Sequence, residues 1–536
     1  MIGYLTHDYA LIHALADKAK TKPVRELKAL NRFIARAPKL SDYLNDDEVQ
    51  LVKGPLECPV SGLATESRRV VPGNVFFVLE ENVRNGSADI DEAISRGATA
   101  IVTGKMPSAL PSKVTYVKVK QVESVLVKVA KRYFKSPDTS LGLVGIAGSN
   151  GKTTVGYLIK ALLGDAEPSG LFSSISYDLG TRTVPSYTST PSAIDLFGMM
   201  AQMRDAGLRR AIVEIESEAL KREHIHALQL KVAVFTNLNS VDPEKVDQEL
   251  KNQVDFFTGK LGRAPEVAVV NISDGFGAKL ASEIKETAPQ VRLITVGYDE
   301  SAVVRVDQVV ATSLGTSGVL KWKKLDGSTS EAAFRLDLVG SFNLTNLLCA
   351  SAACLGLDKD PILFLNRLKH FQDIPGRMQR IEVGQAYDVF VDHAPTSHAF
   401  YSSLEALRKL TSGRLLVVFG SASNRSLAER KALVQVVQAH ADFSFATLDN
   451  SYEQTPEAIF SDMHQGVRDP ARIAWVEDRR RAINVALDVA KKGDTVVIAG
   501  RGHESFQQVG GAMHPFDDRQ VASELILSKL PKEEVA

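Results

Sequence analysis

Cysteine is nearly missing. The chain has three in 536 residues (Cys58, Cys349 and Cys354), two of them inside one Ala/Leu-rich run. Their number and spacing exclude a disulfide framework and a cysteine metal centre, and they read as small buried side chains in a reducing compartment. An excess of one charge is missing too. Lys+Arg and Asp+Glu number 64 each, so no global field exists to hold nucleic acid or an anionic membrane. No apolar run approaches the ~18 residues that a membrane span needs. The opening MIGYLTHDYALIHALADKAK lacks the charged-then-apolar order of a secretory signal. A chain with 44% hydrophobic and 24% charged residues and none of these features is expected to be a cytoplasmic globular protein. Its length suits about two to four domains. Neither an internal repeat nor a low-complexity tract interrupts it.

What is present is an alternation of short apolar runs and amphipathic stretches. Helical spacing predicts short helices between Asp8 and Tyr43, and VFFVLE and TAIVTG around ISRGA predict a small α/β unit from Leu63 to Val102. A linker is expected around Ser136 to Ser140. After it come the strand LGLVGIAG, the helix GKTTVGYLIKALL, and the strands RAIVEIE, VAVFTNL, EVAVVNI and VRLITVGY. Strands separated by helical patterns imply a parallel sheet. From Ala302 to Leu338, strands broken by SLGTSG and LDGSTS predict an antiparallel hairpin insert, followed by the buried helix NLTNLLCASAACLGL. Past IPGRM the α/β alternation restarts with YDVFVDHA, RLLVVFGSA, DFSFATL, RIAWVED and DTVVIAG. The expectation is an α/β chain of three domains, 1–137, 138–373 and 374–536.

The sharpest local signal is Gly148-Ser149-Asn150-Gly151-Lys152-Thr153-Thr154, between a strand and a helix. Glycines let backbone N–H groups close on phosphate oxygens, and the helix N-terminus adds its positive dipole end. Lys152 would meet the β- and γ-phosphates, and the Thr153 hydroxyl would hold Mg²⁺. The strict pattern asks for Gly where Ile146 stands, so the loop is a variant form. The plain alternative is a glycine turn capping a helix. Phosphate binding alone does not choose between an ATPase, a GTPase, a kinase and a ligase.

Motifs elsewhere make that choice. Glu66-Ser67-Arg68 is followed by Pro72-Gly73, Phe76 and Gly97-Ala98; then come Ser189-Thr190-Pro191, Gly340-Ser341-Phe342-Asn343 with Asn346, and Pro375-Gly376-Arg377-Met378. Further on stand Thr447, Asp449-Asn450 and Pro456, then Ala499-Gly500-Arg501-Gly502-His503-Glu504 and Phe516-Asp517-Asp518. In this order they resemble the Mur ligase family, whose shorter phosphate loop, Gly-x-x-Gly-Lys-Thr, accommodates Ile146. The branch resembled is the one that adds the third residue of the UDP-N-acetylmuramoyl-peptide precursor of the bacterial wall.

That resemblance implies a uridine-nucleotide-type N-terminal domain, a central P-loop ATPase domain and a Rossmann-like amino-acid-binding domain. It also implies ATP-dependent amide formation through an acyl phosphate, with ATP and Mg²⁺ as cofactors. The substrates would be a UDP-N-acetylmuramoyl-peptide and an amino acid, handled by a monomer without nucleic acid or membrane insertion. Lys152 and Glu214 are the implied catalytic residues. Gly148, Asn150, Gly151, Lys152, Thr153, Thr154, Asn343, Arg377 and Asp392 would hold the nucleotide, with Asn343 at adenine. Thr153, Glu214 and Asp242 would hold the metal. Ser67, Thr190, Ser217, Asp449, Asn450, Gly500, His503 and Glu504 would bind substrate. Read without the family, Glu214 is a solvated strand-end carboxylate, His503-Glu504 a surface turn and Asp517-Asp518 a helix cap.

Departures from the family pattern cluster at the chemistry. After Thr236-Asn237-Leu238 the family's Asp-His pair reads Val241-Asp242, and its carbamylated lysine aligns with Gln253, two residues from Lys251. Its Ser-Ser-His reads Glu216-Ser217-Glu218, and Asp-Gly-His in the first domain reads Asn85-Gly86-Ser87. Asp-Tyr-Ala-His-Thr-Pro has become Asp392-His393-Ala394-Pro395-Thr396-Ser397, and Gly-Gly-Asp-Arg has become Ala422-Ser423-Asn424-Arg425. The diaminopimelate-selecting Asp-Asn-Pro-Arg reads Asp449-Asn450-Ser451-Tyr452. A phenol cannot replace a guanidinium forked onto a carboxylate, so diaminopimelate specificity does not follow. Two other readings compete with an active ligase. One is a catalytically impaired paralogue that binds nucleotide in a regulatory or scaffold role. The other is a folylpolyglutamate- or cyanophycin-type ligase, which the Ser67-Arg68 module opposes.

Overall fold

The computed structural model describes residues 38–79, 87–108, 110–111, 113–186, 188–239, 243–324, 326–361, 365–371 and 373–530. Most of the stretch expected to be helical between Asp8 and Tyr43 lies outside them, as do Asn85, Gly86, Val241 and Asp242. Contacts gather the chain into two units. One holds Met1–Gly145, Glu167–Lys231 and Asn252–Glu266; the other holds Ile146–Ala166, Val232–Lys251 and Val267–Ala536.

The first unit contains the α/β module expected after Leu63. Its five-stranded sheet runs in the order Val49–Lys53, Thr115–Val119, Ala100–Thr103, Asn74–Phe77, Gly62–Ala64, with only the first pairing antiparallel. Ala64, Phe76, Ile90, Ala93, Ile101 and Tyr116 pack one core, so the apolar runs find cover from the helix Ser87–Ser95. Further along, Arg210–Glu214 pairs in parallel with Ser169–Phe172, and the helix Ala193–Asp205 begins at Ser192, whose Oγ accepts from the Asp195 amide.

In the second unit the strands from Val232, Val267–Asn271 and Arg292–Val296 lie parallel. The predicted insert is three antiparallel strands, Val304–Thr312, Gly315–Lys323 and Thr329–Leu336. The helix Ser341–Gly356 is buried almost all round, which explains its lack of a polar face. Cys349 and Cys354 lie inside it, and burial pushes both thiols up to about 12, so they stay protonated packing groups. Cys58 departs from expectation: it is half-buried rather than part of a core.

The C-terminal sheet has the order Gln379–Arg380, Asp388–Asp392, Thr495–Ala499, Leu415–Ser421, Phe443–Leu448, Ile473–Trp475, parallel except at its first edge. Period-two side chains divide its apolar strands between two layers. Leu415, Val417 and Phe419 face Phe400, Leu404, Leu433 and Ile459, whereas Leu416 and Val418 face Ile483, Leu487 and Val521. Both faces are covered, so the strands read as unbroken hydrophobic runs.

Candidate active site

The strand Gly142–Ala147 ends in the loop, and Gly151 caps the helix Lys152–Leu163 with φ +87°. Two glycines are required by space. A Cβ on Gly148 (φ +123°) would lie 2.3 Å from Thr236 Oγ1, and one on Gly151 would lie 2.3 Å from Asn346 Oδ1. Lys152 Nζ folds back to donate to the carbonyls of Gly148 (2.7 Å) and Ser149 (3.0 Å). Thr153 and Thr154 are buried in the first helical turn.

The loop is held by a segment whose buttressing role its sequence did not announce. Thr236 Oγ1 and Asn237 Nδ2 both donate to the Asn150 carbonyl, at 2.7 and 3.0 Å, and the Asn150 amide donates to Asn237 Oδ1 at 3.1 Å. Asn239 N donates to Ser149 Oγ at 2.9 Å. The TNL run was legible as a strand end, but polar residues there become buttresses only once the fold sets them against the loop.

Asn343 donates to the Val339 carbonyl (2.8 Å) and accepts from Asn346 Nδ2 (3.0 Å), so its amide fixes the helix start that stands against Gly151. Arg377 Nη2 donates to Thr153 Oγ1 at 3.2 Å, bringing the junction motif to the phosphate loop. Asp392 is buried, accepting from Met378 N (3.0 Å) and Ser403 Oγ (2.6 Å). Burial raises its carboxyl above the usual range, and its contacts make it the anchor of the Arg377 turn.

The predicted amino-acid residues converge around a side chain that the sequence reading assigned no role. Arg501 is fully buried; its Nη1 donates to Asp449 Oδ1 (3.1 Å) and Asn450 Oδ1 (2.9 Å), and its Nη2 to the Phe506 carbonyl. Asn450 Nδ2 donates to Glu504 Oε2 at 3.0 Å. Burial, then the Asp449 charge, raise the Glu504 carboxyl. Gly500 has φ +113° with Asp449 Oδ2 3.3 Å from where a Cβ would stand. His503 stacks on His393, with ring centroids 5.2 Å apart and planes at 23°. A shallow cleft lined by Thr396, Ser421, Arg425, Asp449 and Gly500 opens at the carboxyl ends of these strands, where doubly wound sheets bind ligands. Tyr452 (φ +47°) is pinned to the hairpin Phe506–Pro515 through its amide to Gln508 O (3.3 Å). Of the acidic pair, Asp517 caps a helix as expected, whereas Asp518 forms a fully buried pair with Arg479 at 2.7 and 2.8 Å.

In the first unit, Thr190 Oγ1 donates to the Glu214 carbonyl (2.8 Å) and accepts from Glu216 N (3.0 Å), while Glu216 accepts from Ser189 N (3.0 Å). Thr190 and Glu214 are thus joined, Glu214 is buried at its strand end, and Ser217 follows half-buried. Ser67 sits on the short helix Ser67–Arg69 and donates to Glu92 at 2.6 Å, while Arg69 of that helix pairs with Asp195 (2.9 Å), five residues after Thr190. Gln253 is buried.

Among the described residues no group of three or more His, Cys, Asp or Glu side chains converges as a metal centre. Mg²⁺ carried by a nucleotide takes hard oxygen ligands and needs only one or two from protein, and each unit by itself carries an oxygen of that chemistry. Thr153 offers a hydroxyl and Glu214 a buried carboxylate. Asp242 lies outside the described residues.

Residues 146–354 match the Mur ligase middle domain, and residues 376–502 match the Mur ligase glutamate ligase domain. A UDP-N-acetylmuramoyl-L-alanyl-D-glutamate–2,6-diaminopimelate ligase of Geobacter metallireducens is 31% identical over 509 residues, covering 90% of this chain and 97% of that protein. The chain belongs to the Mur ligase family. Two solved structures carry the same fold. One, a UDP-N-acetylmuramoyl-L-alanyl-D-glutamate–2,6-diaminopimelate ligase, aligns with TM-score 0.64 at 23% identity, covering 92% of this chain and 99% of that one. The other, the MurF ligase of Thermotoga maritima in complex with ADP, aligns with TM-score 0.58 at 17% identity, covering 87% and 96%. The α/β fold read from sequence is therefore that of a Mur ligase, and no helix among the described residues is long and apolar enough to cross a membrane.

Proposed function

We propose that this Mur ligase joins an amino acid to a UDP-N-acetylmuramoyl-dipeptide in the cytoplasm, consuming ATP, as a step of peptidoglycan precursor synthesis. The observation that carries the reading is the contact between Arg377 and Thr153, which sets the junction motif against the phosphate loop. A carboxylate is a poor electrophile. Transfer of the γ-phosphoryl group makes it an acyl phosphate, and an amine then displaces phosphate through a tetrahedral intermediate. Catalysis of that sequence is mostly positioning and neutralisation of phosphate charge. Loop amides, Lys152 and Arg377 supply the neutralisation. Thr153 and Glu214 would hold Mg²⁺, which supplies Lewis-acid polarisation of the phosphates.

Ser67, Thr190 and Ser217 take the UDP-sugar peptide in this reading, and Asp449, Asn450, Gly500, His503 and Glu504 take the amino acid. Asn343 and Asp392 act on the nucleotide through Asn346 and Arg377. The division into domains 1–137, 138–373 and 374–536 follows the same assignment, and the enzyme acts as a monomer. The test is ADP and phosphate release with UDP-N-acetylmuramoyl-L-alanyl-D-glutamate and a panel of amino acids. Amino-acid-dependent release is expected, and Lys152→Ala should lower it at least a hundredfold. Release that persists in Lys152→Ala removes the loop assignment. ATP binding without turnover for any amino acid favours the impaired-paralogue reading, which rests on the changed metal ligands at Val241-Asp242 and the lysine lost at Gln253.

A further inference from the structure

Amide formation needs the incoming amine as a free base, whereas an amino acid arrives as an ammonium ion. The residues implied to take it, Asp449, Asn450, Gly500, His503 and Glu504, include one imidazole, that of His503. A second stands next to it. His393 follows Asp392 at the end of its strand; its amide donates to the Gly376 carbonyl at 2.8 Å, beside Arg377. Its ring stacks on that of His503, next to Glu504. The two loops meet backbone to backbone: a Cβ on Gly376 would lie 2.1 Å from the Gly502 carbonyl carbon, and one on Gly502 would lie 2.7 Å from His393 Cα. The imidazoles therefore occupy the step between the phosphate end, Thr153 and Arg377, and the amine end, Glu504 and Asn450. His393 Nδ1 is buried and has no hydrogen-bond partner among the described residues.

Resting on the ligase reading above, we propose that His393 accepts the proton released by the amine as it attacks the acyl phosphate. The nitrogen lone pair forms the C–N bond, and one ammonium proton passes to the imidazole. The tetrahedral intermediate collapses by breaking the C–O bond to phosphate. The second proton leaves with the phosphate as HPO₄²⁻, the third stays on the amide nitrogen, and the imidazolium releases its proton to water. The charged groups around the ring support the assignment. Burial first, then Arg377, His503, Arg425 and Arg501, hold the imidazole well below its usual pKa, so it is neutral before substrate arrives. Anionic acyl phosphate set against those guanidiniums offsets their repulsion and strengthens the base at the moment it is used. Asp392 and Glu504 are the nearby carboxylates, and burial raises both.

Hydroxylamine tests this, because it is largely unprotonated at neutral pH and attacks acyl phosphates without a base. Enzyme, ATP, Mg²⁺ and UDP-N-acetylmuramoyl-L-alanyl-D-glutamate are incubated with L-lysine or meso-diaminopimelate, and in parallel with hydroxylamine. In His393→Gln the ratio of amide to hydroxamate should fall about a hundredfold or more, the usual contribution of a general base. Its amide rate should climb with a slope of roughly one per pH unit from neutrality towards the amine pKa, more steeply than in the native enzyme. His393→Tyr keeps a ring in the stack without the imidazole and is read by the same ratio if the Gln variant does not accumulate. An unmoved ratio and parallel pH profiles overturn the proposal while leaving the ligase reading intact. Native enzyme that forms neither ADP nor hydroxamate overturns both.

Discussion

The side chain of Arg479 is fully buried, and its charge is answered by Asp518, 39 positions away. Asp518 alone read as a helix cap because its partner is set by the packing of two helices, which no local pattern records. Removing one member strands the other's charge in a medium that cannot solvate it. Arg479→Met should therefore cost about 3–5 kcal/mol in urea unfolding, and adding Asp518→Leu should recover most of it. A second residue gives stability a pH dependence. His224 is 3% exposed, and burial, then Arg222, lower its pKa to about 4 from the 6.5 of an open chain. The unfolded chain takes up a proton as pH falls from 6.5 to 4 while the native chain refuses it, so stability falls with pH across that window. Between pH 7.5 and 5 this one group should remove about 2 kcal/mol, and His224→Leu should flatten the urea midpoint over that range by the same amount.

Elements were legible where both the period and its boundary were written locally. The phosphate loop, the hairpin insert and the two-faced C-terminal strands all announce themselves by glycine spacing, broken alternation or unbroken apolar runs. What holds the loop was not written there. Thr236, Asn237 and Asn239 come from the end of a strand 82 or more positions beyond Thr154, and they matter because that strand ends beside the loop. Asn237→Ala removes a donor to the Asn150 carbonyl and an acceptor for its amide at once. Two lost hydrogen bonds of about 1 kcal/mol each would loosen the loop. Nucleotide affinity, read by calorimetry, should fall about ten- to thirtyfold with the fold unchanged. Gly151→Ala should act more severely, because its Cβ would meet Asn346 Oδ1 at 2.3 Å on a backbone with φ +87°.

At the scale of the molecule, the residues implied for the two large substrates divide between the two units. Ser67, Thr190 and Ser217 belong to one, while the phosphate loop, Arg377 and the Asp449–Arg501–Glu504 cluster belong to the other. Sequence order hides this, because the chain leaves the first unit within the strand Gly142–Ala147 and returns to it at Glu167. Ligands that bind only the native state stabilise what they touch, by about 2.7 kcal/mol at a hundred times the dissociation constant. A non-hydrolysable ATP analogue should therefore slow amide hydrogen exchange at residues 146–154, 236–239 and 341–346, and also at 376–378, because Arg377 reaches Thr153. Arg377→Ala should keep protection at the first three segments and lose it at the fourth. UDP-N-acetylmuramoyl-L-alanyl-D-glutamate given alone should instead protect residues 61–76 and 189–217. Protection by that substrate confined to the second unit would reassign Ser67, Thr190 and Ser217. The nucleotide result would stand, because it rests on different segments.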